Sequence, residues 1–120
     1  MDHSPDPYSA LCPTRLILDR VGDRWAVLVL GLLEDGPIRF NQLRRRIEGI
    51  SQKMLSQTLK NLERDGLVTR TAIATVPVTV EYALTPLGRT LVATVDQLRR
   101  WAEDNMDAVL RAQKRYDAAA

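Results

Sequence analysis

The sequence predicts one mainly α-helical domain that carries a small β-hairpin, an α+β fold. Three observations lead there. The chain has 120 residues and 13.5 kDa, enough for one hydrophobic core and no second. Hydrophobic residues make up 45% and charged residues 27%, so a core is affordable and the composition of a disordered chain is absent. Apolar residues recur at helical spacing except in two short stretches, 67–73 and 79–84, which are rich in β-branched residues.

Residues 1–10, with two prolines, read as a flexible tail. In residues 13–21, Leu16, Ile17 and Val21 fall at helical spacing behind Pro13, a residue suited to a first helical position. This predicts a short first helix. Gly22 ends it, and Asp23 is an N-cap for the nearly all-apolar run 25–33, read as a buried central helix that Gly36-Pro37 stops. Trp25 is read as core. Phe40, Leu43 and Ile47, at i, i+3 and i+7, mark a third, short helix, with Arg44, Arg45 and Arg46 fanning over its outer side before Gly49.

Ser51 is the next N-cap, and Leu55, Leu59 and Leu62 form one apolar stripe up to Asp65-Gly66. The opposite face presents Gln52, Lys53, Ser56, Gln57, Lys60 and Asn61, without an acid among them. The stretches 67–73 and 79–84 flank a loop containing Pro77 and read as a hairpin. Thr85-Pro86 then supplies an N-cap and a first-turn proline, and Leu87, Leu91, Val95, Leu98, Ala102 and Val109 continue at helical spacing. A long amphipathic helix is expected over about 86–113, so that the domain spans 11–113 and 114–120 is a second flexible tail. A small domain leaves little to cover the far half of that helix. Leu98, Trp101, Met106 and Val109, with Leu16 of the first helix, are therefore expected to pack on a second copy.

Composition excludes several function classes. The longest apolar run, 25–33, has nine residues, against the roughly 20 needed to span a bilayer. The N-terminus lacks the basic and apolar regions of a secretory signal, which predicts a cytoplasmic protein. One cysteine, Cys12, and one histidine, His3, are too few for a structural zinc site, and a Cys-His nucleophilic pair would depend on a tail residue. No glycine-rich phosphate loop occurs. Neither enzyme activity, nor a metal, nor a cofactor is expected.

Charge is distributed unevenly. Residues 1–38 carry 3 basic and 6 acidic groups, residues 39–64 carry 7 and 2, and residues 65–120 carry 7 and 7. The positive stretch holds the polar-faced helix and the helix before it. The order of helix, helix, short helix, tight turn, polar-faced helix, hairpin and long helix is that of a winged helix-turn-helix, whose fourth helix enters the DNA major groove.

Six blocks of residues then point to a family. Cys12-Pro13, Gly22-Asp23-Arg24-Trp25, Asp35-Gly36-Pro37-Ile38-Arg39-Phe40, Ile50-Ser51-Gln52-Lys53-Met54-Leu55, Leu62-Glu63-Arg64-Asp65-Gly66-Leu67-Val68 and Val80-Glu81-Tyr82-Ala83-Leu84-Thr85-Pro86-Leu87-Gly88 resemble the HxlR-type transcriptional regulators, relatives of the MarR group. The resemblance covers about 11–101. It implies a prokaryotic homodimer that binds a pseudo-palindromic operator in double-stranded DNA, with recognition helices about one DNA turn, roughly 34–36 Å, apart.

The resemblance assigns Ser51, Gln52 and Lys53 to the start of the recognition helix, followed by Ser56, Gln57 and Lys60. Glutamine reads adenine bidentately, lysine reaches guanine or phosphate, and the helix N-terminus offers N–H groups to a phosphate. Simple solvation is the alternative reading of that face. Arg39, on a short strand entering the motif, is a candidate phosphate clamp, its alternative being an ion pair with Glu34 or Asp35. Of Arg44, Arg45 and Arg46 only one or two can face phosphate; Arg44 is taken as that contact, and the rest pair with Glu48 or solvent. The hairpin departs from the family pattern, since residues 71–80 contain no Lys or Arg. Thr75 and Thr79 remain as hydrogen-bonding groups, and Arg70, at its base, is the one charged contact.

Cys12, directly before Pro13, is placed at a helix N-terminus where the dipole and Arg15 favour thiolate. In the resembling family a cysteine at this position serves some members as a sensor of quinones, aldehydes or hypochlorite. The alternative is a small buried hydrophobe. Two further readings of function stay open: a winged-helix module that recognises protein, and a regulator that responds to a non-covalent small molecule.

Overall fold

The computed structural model describes Asp6, Tyr8 and residues 13–120. Cys12, the expected sensor, lies outside the described residues. The order is α1 (Pro13–Gly22), α2 (Arg24–Leu32), a 3-10 turn (Leu33–Asp35), β1 (Ile38–Arg39), α3 (Phe40–Arg46), α4 (Gln52–Arg64), β2 (Val68–Ile73), β3 (Thr79–Leu84) and α5 (Pro86–Ala119). The fold is mainly α with a small antiparallel sheet, the winged helix-turn-helix that the element order predicts.

Local chemistry explains most boundaries. The Asp23 carboxylate accepts from the N–H groups of Trp25 (2.9 Å) and Ala26 (3.4 Å) and so opens α2. Ser51 Oγ accepts from Met54 N at 3.0 Å and opens α4. Thr85 Oγ1 accepts from Gly88 N at 3.0 Å and donates to the Gly66 carbonyl at 2.6 Å, with Pro86 in the first turn of α5. Gly66 sits at φ +77°, the left-handed conformation that ends α4 and turns the chain into β2. Gly88 answers a different demand: a Cβ there would lie 2.1 Å from the Leu67 carbonyl oxygen. Only glycine lets the first turn of α5 ride on the α4–β2 turn.

The sheet order is β1-β3-β2. The hairpin runs from Val68 opposite Leu84 to Ile73 opposite Thr79, and β1 adds Ile38 opposite Tyr82 and Arg39 opposite Glu81. One core joins helices and sheet. It centres on Val29, Leu30 and Leu33, on Leu43 and Ile47, on Leu55, Leu59 and Leu62, and on Leu67, Val68, Tyr82, Leu84 and Val92. Each fully buried leucine of the α4 stripe contributes about 1.5–3 kcal/mol of burial free energy, which holds the polar face of α4 outward.

Three expectations are corrected. The helix expected to end near 113 runs to Ala119, because the residues beyond 113 contain neither glycine nor proline and Ala, Lys and Arg are strong helix formers; the expected tail at 114–120 is helical to its last residue but one. α2 is not buried all round: Ala26, Val29 and Leu30 are buried, whereas Leu28 is exposed. Trp25 is half-buried, packed on the rim of the core with the Arg24 guanidinium 4.6 Å above its ring.

Candidate nucleic-acid interface

The α4 stripe faces the core, so helical periodicity turns Gln52, Lys53, Gln57 and Lys60 to solvent, all of them exposed. Ser56 and Asn61 are half-buried at the flanks of this face. Gln57 Nε2 donates to Asn61 Oδ1 at 3.2 Å one turn on, which orders the Gln57 amide along the helix. No acid occurs in the first turn of α4. Ser51 is exposed, and its hydroxyl oxygen is engaged as the N-cap acceptor, so its first role is to hold the helix N-terminus open.

The cations outside α4 divide between two sides of α3. Arg39, at the end of β1, is exposed; its backbone N–H donates to Gln42 Oε1 at 3.3 Å. Neither of its expected acid partners, Glu34 or Asp35, forms an ion pair with it among the described residues, where the ion pairs are Arg20–Asp65, Arg99–Asp96 and Arg99–Glu103. Arg44, Arg45 and Arg46 likewise make no ion pair with Glu48 there. Arg39, Arg45 and Arg70 line one groove of about 520 Å³ between α3 and the hairpin. Arg46 lines another, on the side of α5. Arg44 is exposed and borders neither. Thr75, expected to be free for phosphate, spends its hydroxyl within the loop, donating to the Pro77 carbonyl at 2.7 Å. Sequence reasoning missed Arg45, because three consecutive arginines carry no sign of which one the sheet will face.

The second groove, of about 800 Å³, lies between α2, the 3-10 turn, the end of α3 and α5. Val27, Leu28, Leu32, Val95 and Leu98 supply its apolar wall, with Glu34, Asp96 and Arg99 at its polar end. The Glu34 carboxyl is held above its ordinary pKa of 4.5, first by a hydrogen bond shared with the Asp96 carboxyl, next by desolvation and then by the negative charges of Asp96 and Asp35, with Arg99 opposing. Sequence reasoning also missed this pair.

α5 contributes buried residues only in its first three turns: Gly88, Val92 and Val95. Its 34 residues extend about 51 Å, so most of the helix projects from the domain. Leu98, Trp101, Met106, Val109 and Leu110 are exposed along it, as are Leu16, Ile17 and Leu18 on α1. Among the described residues no helix is long and apolar enough to cross a membrane, and no group of acids, cysteines and histidines is arranged to hold a metal ion.

The family model of the HxlR-like helix-turn-helix matches residues 20–110. The chain belongs to the HxlR-like helix-turn-helix family. The uncharacterized HTH-type transcriptional regulator YtfH of Escherichia coli strain K12 is 47% identical over 103 residues, which cover 86% of this chain and 82% of that protein. The solved structure of the ytfH transcriptional regulator from Salmonella typhimurium matches with a TM-score of 0.87 at 42% identity, over 92% of this chain and 99% of that one. The redox regulator HypR in its reduced form matches with a TM-score of 0.76 at 40% identity, over 82% of this chain and 98% of that one. As an HxlR-like protein the chain is a helix-turn-helix transcriptional regulator and not an enzyme.

Proposed function

We propose that this HxlR-like regulator is a cytoplasmic homodimer that binds a pseudo-palindromic operator in double-stranded DNA, one α4 in each of two successive major grooves. The observation that carries the proposal is the exposed polar face of α4, free of acids through its first turn, on a helix whose N-terminus is capped by Ser51 and whose opposite side is locked in the core. Gln52 and Gln57 offer amides to adenine edges, and Lys53 and Lys60 offer ammonium groups to guanine or phosphate. Ser56 adds a hydroxyl, and Arg39, Arg44 and Arg70 serve the phosphates. The apolar residues that α5 and α1 leave exposed, Leu16, Leu98, Trp101, Met106 and Val109 among them, form the interface with the second copy. Two copies joined there hold two α4 helices at the spacing of one DNA turn, about 34–36 Å.

Thiol chemistry at Cys12 is the proposed signal. HypR is a redox regulator and has been solved in a reduced and an oxidized form. Modification of the Cys12 thiol, one residue before Pro13 in the sequence, would alter the α1 contribution to the dimer and so the distance between the two α4 helices. A second reading, a non-covalent effector, is favoured by the apolar groove between α2 and α5, which separates the helix-turn-helix from the projecting helix.

Titration of the promoter DNA beside the protein's own gene, with and without a thiol-reactive quinone, tests both levels. Tight binding that the quinone abolishes in wild type but not in Cys12→Ser establishes a thiol-sensing regulator. Tight binding indifferent to quinone keeps the DNA reading and directs attention to the α2–α5 groove. Absence of binding even to random duplex at low salt leaves a protein-recognition module in its place.

A further inference from the structure

The hairpin tip has no cation, since residues 71–80 contain neither Lys nor Arg. The fold supplies cations there from elsewhere. Arg39 from β1, Arg45 from α3 and Arg70 from β2 line one groove beside the start of β3, together with Asn41, Gln42 and Thr79. No carboxylate lines it. None of the three arginines forms an ion pair among the described residues, and Glu81, opposite Arg39 in the sheet register, does not reach the groove. At about 520 Å³ the groove is many times the roughly 30 Å³ share of one water molecule.

We propose that this groove is a binding track for the sugar–phosphate backbone of duplex DNA, in which Arg45, reaching across from α3, does for the hairpin what a cation on its tip would do. The inference rests on the DNA-binding reading and extends it to a residue that helix periodicity alone leaves in solvent. Arginines from three separate elements border one concavity that no carboxylate lines; a polyanion threaded past them is attracted by all three, and the low-dielectric walls focus the field on it. Guanidiniums suit this because each presents a fork that matches two phosphate oxygens. Asn41, Gln42 and Thr79 add neutral donors. Contacts of this kind position the duplex and do not read its sequence.

The test is DNA affinity as a function of salt for wild type, Arg45→Ala, Arg70→Ala and, as a control on the same helix but outside this groove, Arg46→Ala. Arg45→Ala and Arg70→Ala are each expected to weaken binding about tenfold, equally for operator and random duplex. Each should also lower the slope of log affinity against log salt by about 1, with Arg46→Ala unchanged and Arg45→Lys restoring most of the slope. Hydroxyl-radical footprints should lose the backbone protection that flanks the α4 site. Wild-type affinity, slope and footprint in both alanine variants, alongside a weakened Lys53→Ala, would overturn the track and leave α4 as the DNA-binding element. Failure of the wild type itself to bind DNA would remove both readings together.

Discussion

The Arg20 guanidinium donates through Nε to Asp65 Oδ2 at 2.5 Å, and the two side chains are only 16% and 7% exposed. This ion pair ties the last turn of α1 to the C-cap of α4, 45 residues away in sequence. It therefore links an element assigned to the dimer interface with the helix assigned to DNA. Arg20→Ala leaves a largely buried carboxylate without its partner, and a loss of about 2 kcal/mol is expected in urea unfolding. A double-mutant cycle with Asp65→Asn checks the assignment: if the two losses simply add, the pair carries no coupling.

Ser51 separates folding from binding. Ser51→Ala should cost about 1 kcal/mol of stability through the lost cap. Ser51→Asp keeps a capping oxygen and adds a negative charge at the helix N-terminus, so stability should hold while DNA affinity falls at least tenfold. Thermal melts and DNA titrations on the same samples would refute the dual role if both variants bound DNA like wild type.

Gly88 is set by contact. With the Leu67 carbonyl oxygen 2.1 Å from the position of any Cβ, Gly88→Ala must push α5 off the α4–β2 turn. A loss on the order of 3 kcal/mol is expected, because the obstructing atom is backbone and cannot rotate away. A melting temperature within a degree or two of wild type would show that α5 docks differently.

Glu34 predicts a pH dependence of definite sign. Its folded-state pKa is raised above 4.5, so the contact with Asp96 favours the folded state below that value and loses its contribution as pH rises through the folded pKa. Glu34→Gln retains a hydrogen-bond donor without the charge. The variant should therefore flatten the melting temperature against pH just above 4.5 and be the more stable protein at neutral pH. Parallel slopes for the two proteins would separate the Glu34 carboxyl from the Asp96 contact.

Trp101 tests the second copy. It stands 59% exposed on α5, beyond Val95, the last residue of that helix buried in the domain. Trp101→Glu should shift sedimentation from dimer toward monomer and weaken operator binding more than binding to a half-site. A monomeric wild type would exclude the proposed interface.

Elements with local causes were legible in the chain. Asp23, Ser51 and Thr85 were predicted as N-caps and each accepts from an N–H two or three residues on, because capping is decided within one turn. The Leu55, Leu59 and Leu62 stripe predicted the buried side of α4, and with it the exposed face that carries the proposed function. The misreadings have a common origin. Trp25 and Leu28 belong to an apolar run, yet their exposure depends on which neighbours pack against α2; the end of α5 depends on the absence of any stop signal, which hydrophobic spacing does not report. Arg39 and Arg70 were singled out separately, but nothing within either segment shows that they share a groove with Arg45.

By itself, the sequence determined the type and order of the elements, the polar face of α4 and the family, since periodicity, caps and motif blocks act over a few residues. The tertiary structure alone decided which arginine of three faces the hairpin, that Arg20 meets Asp65, and that Glu34 meets Asp96. Those pairings join segments far apart in the chain. Their geometry is set by how the helices seat on the shared core, and no local preference encodes that.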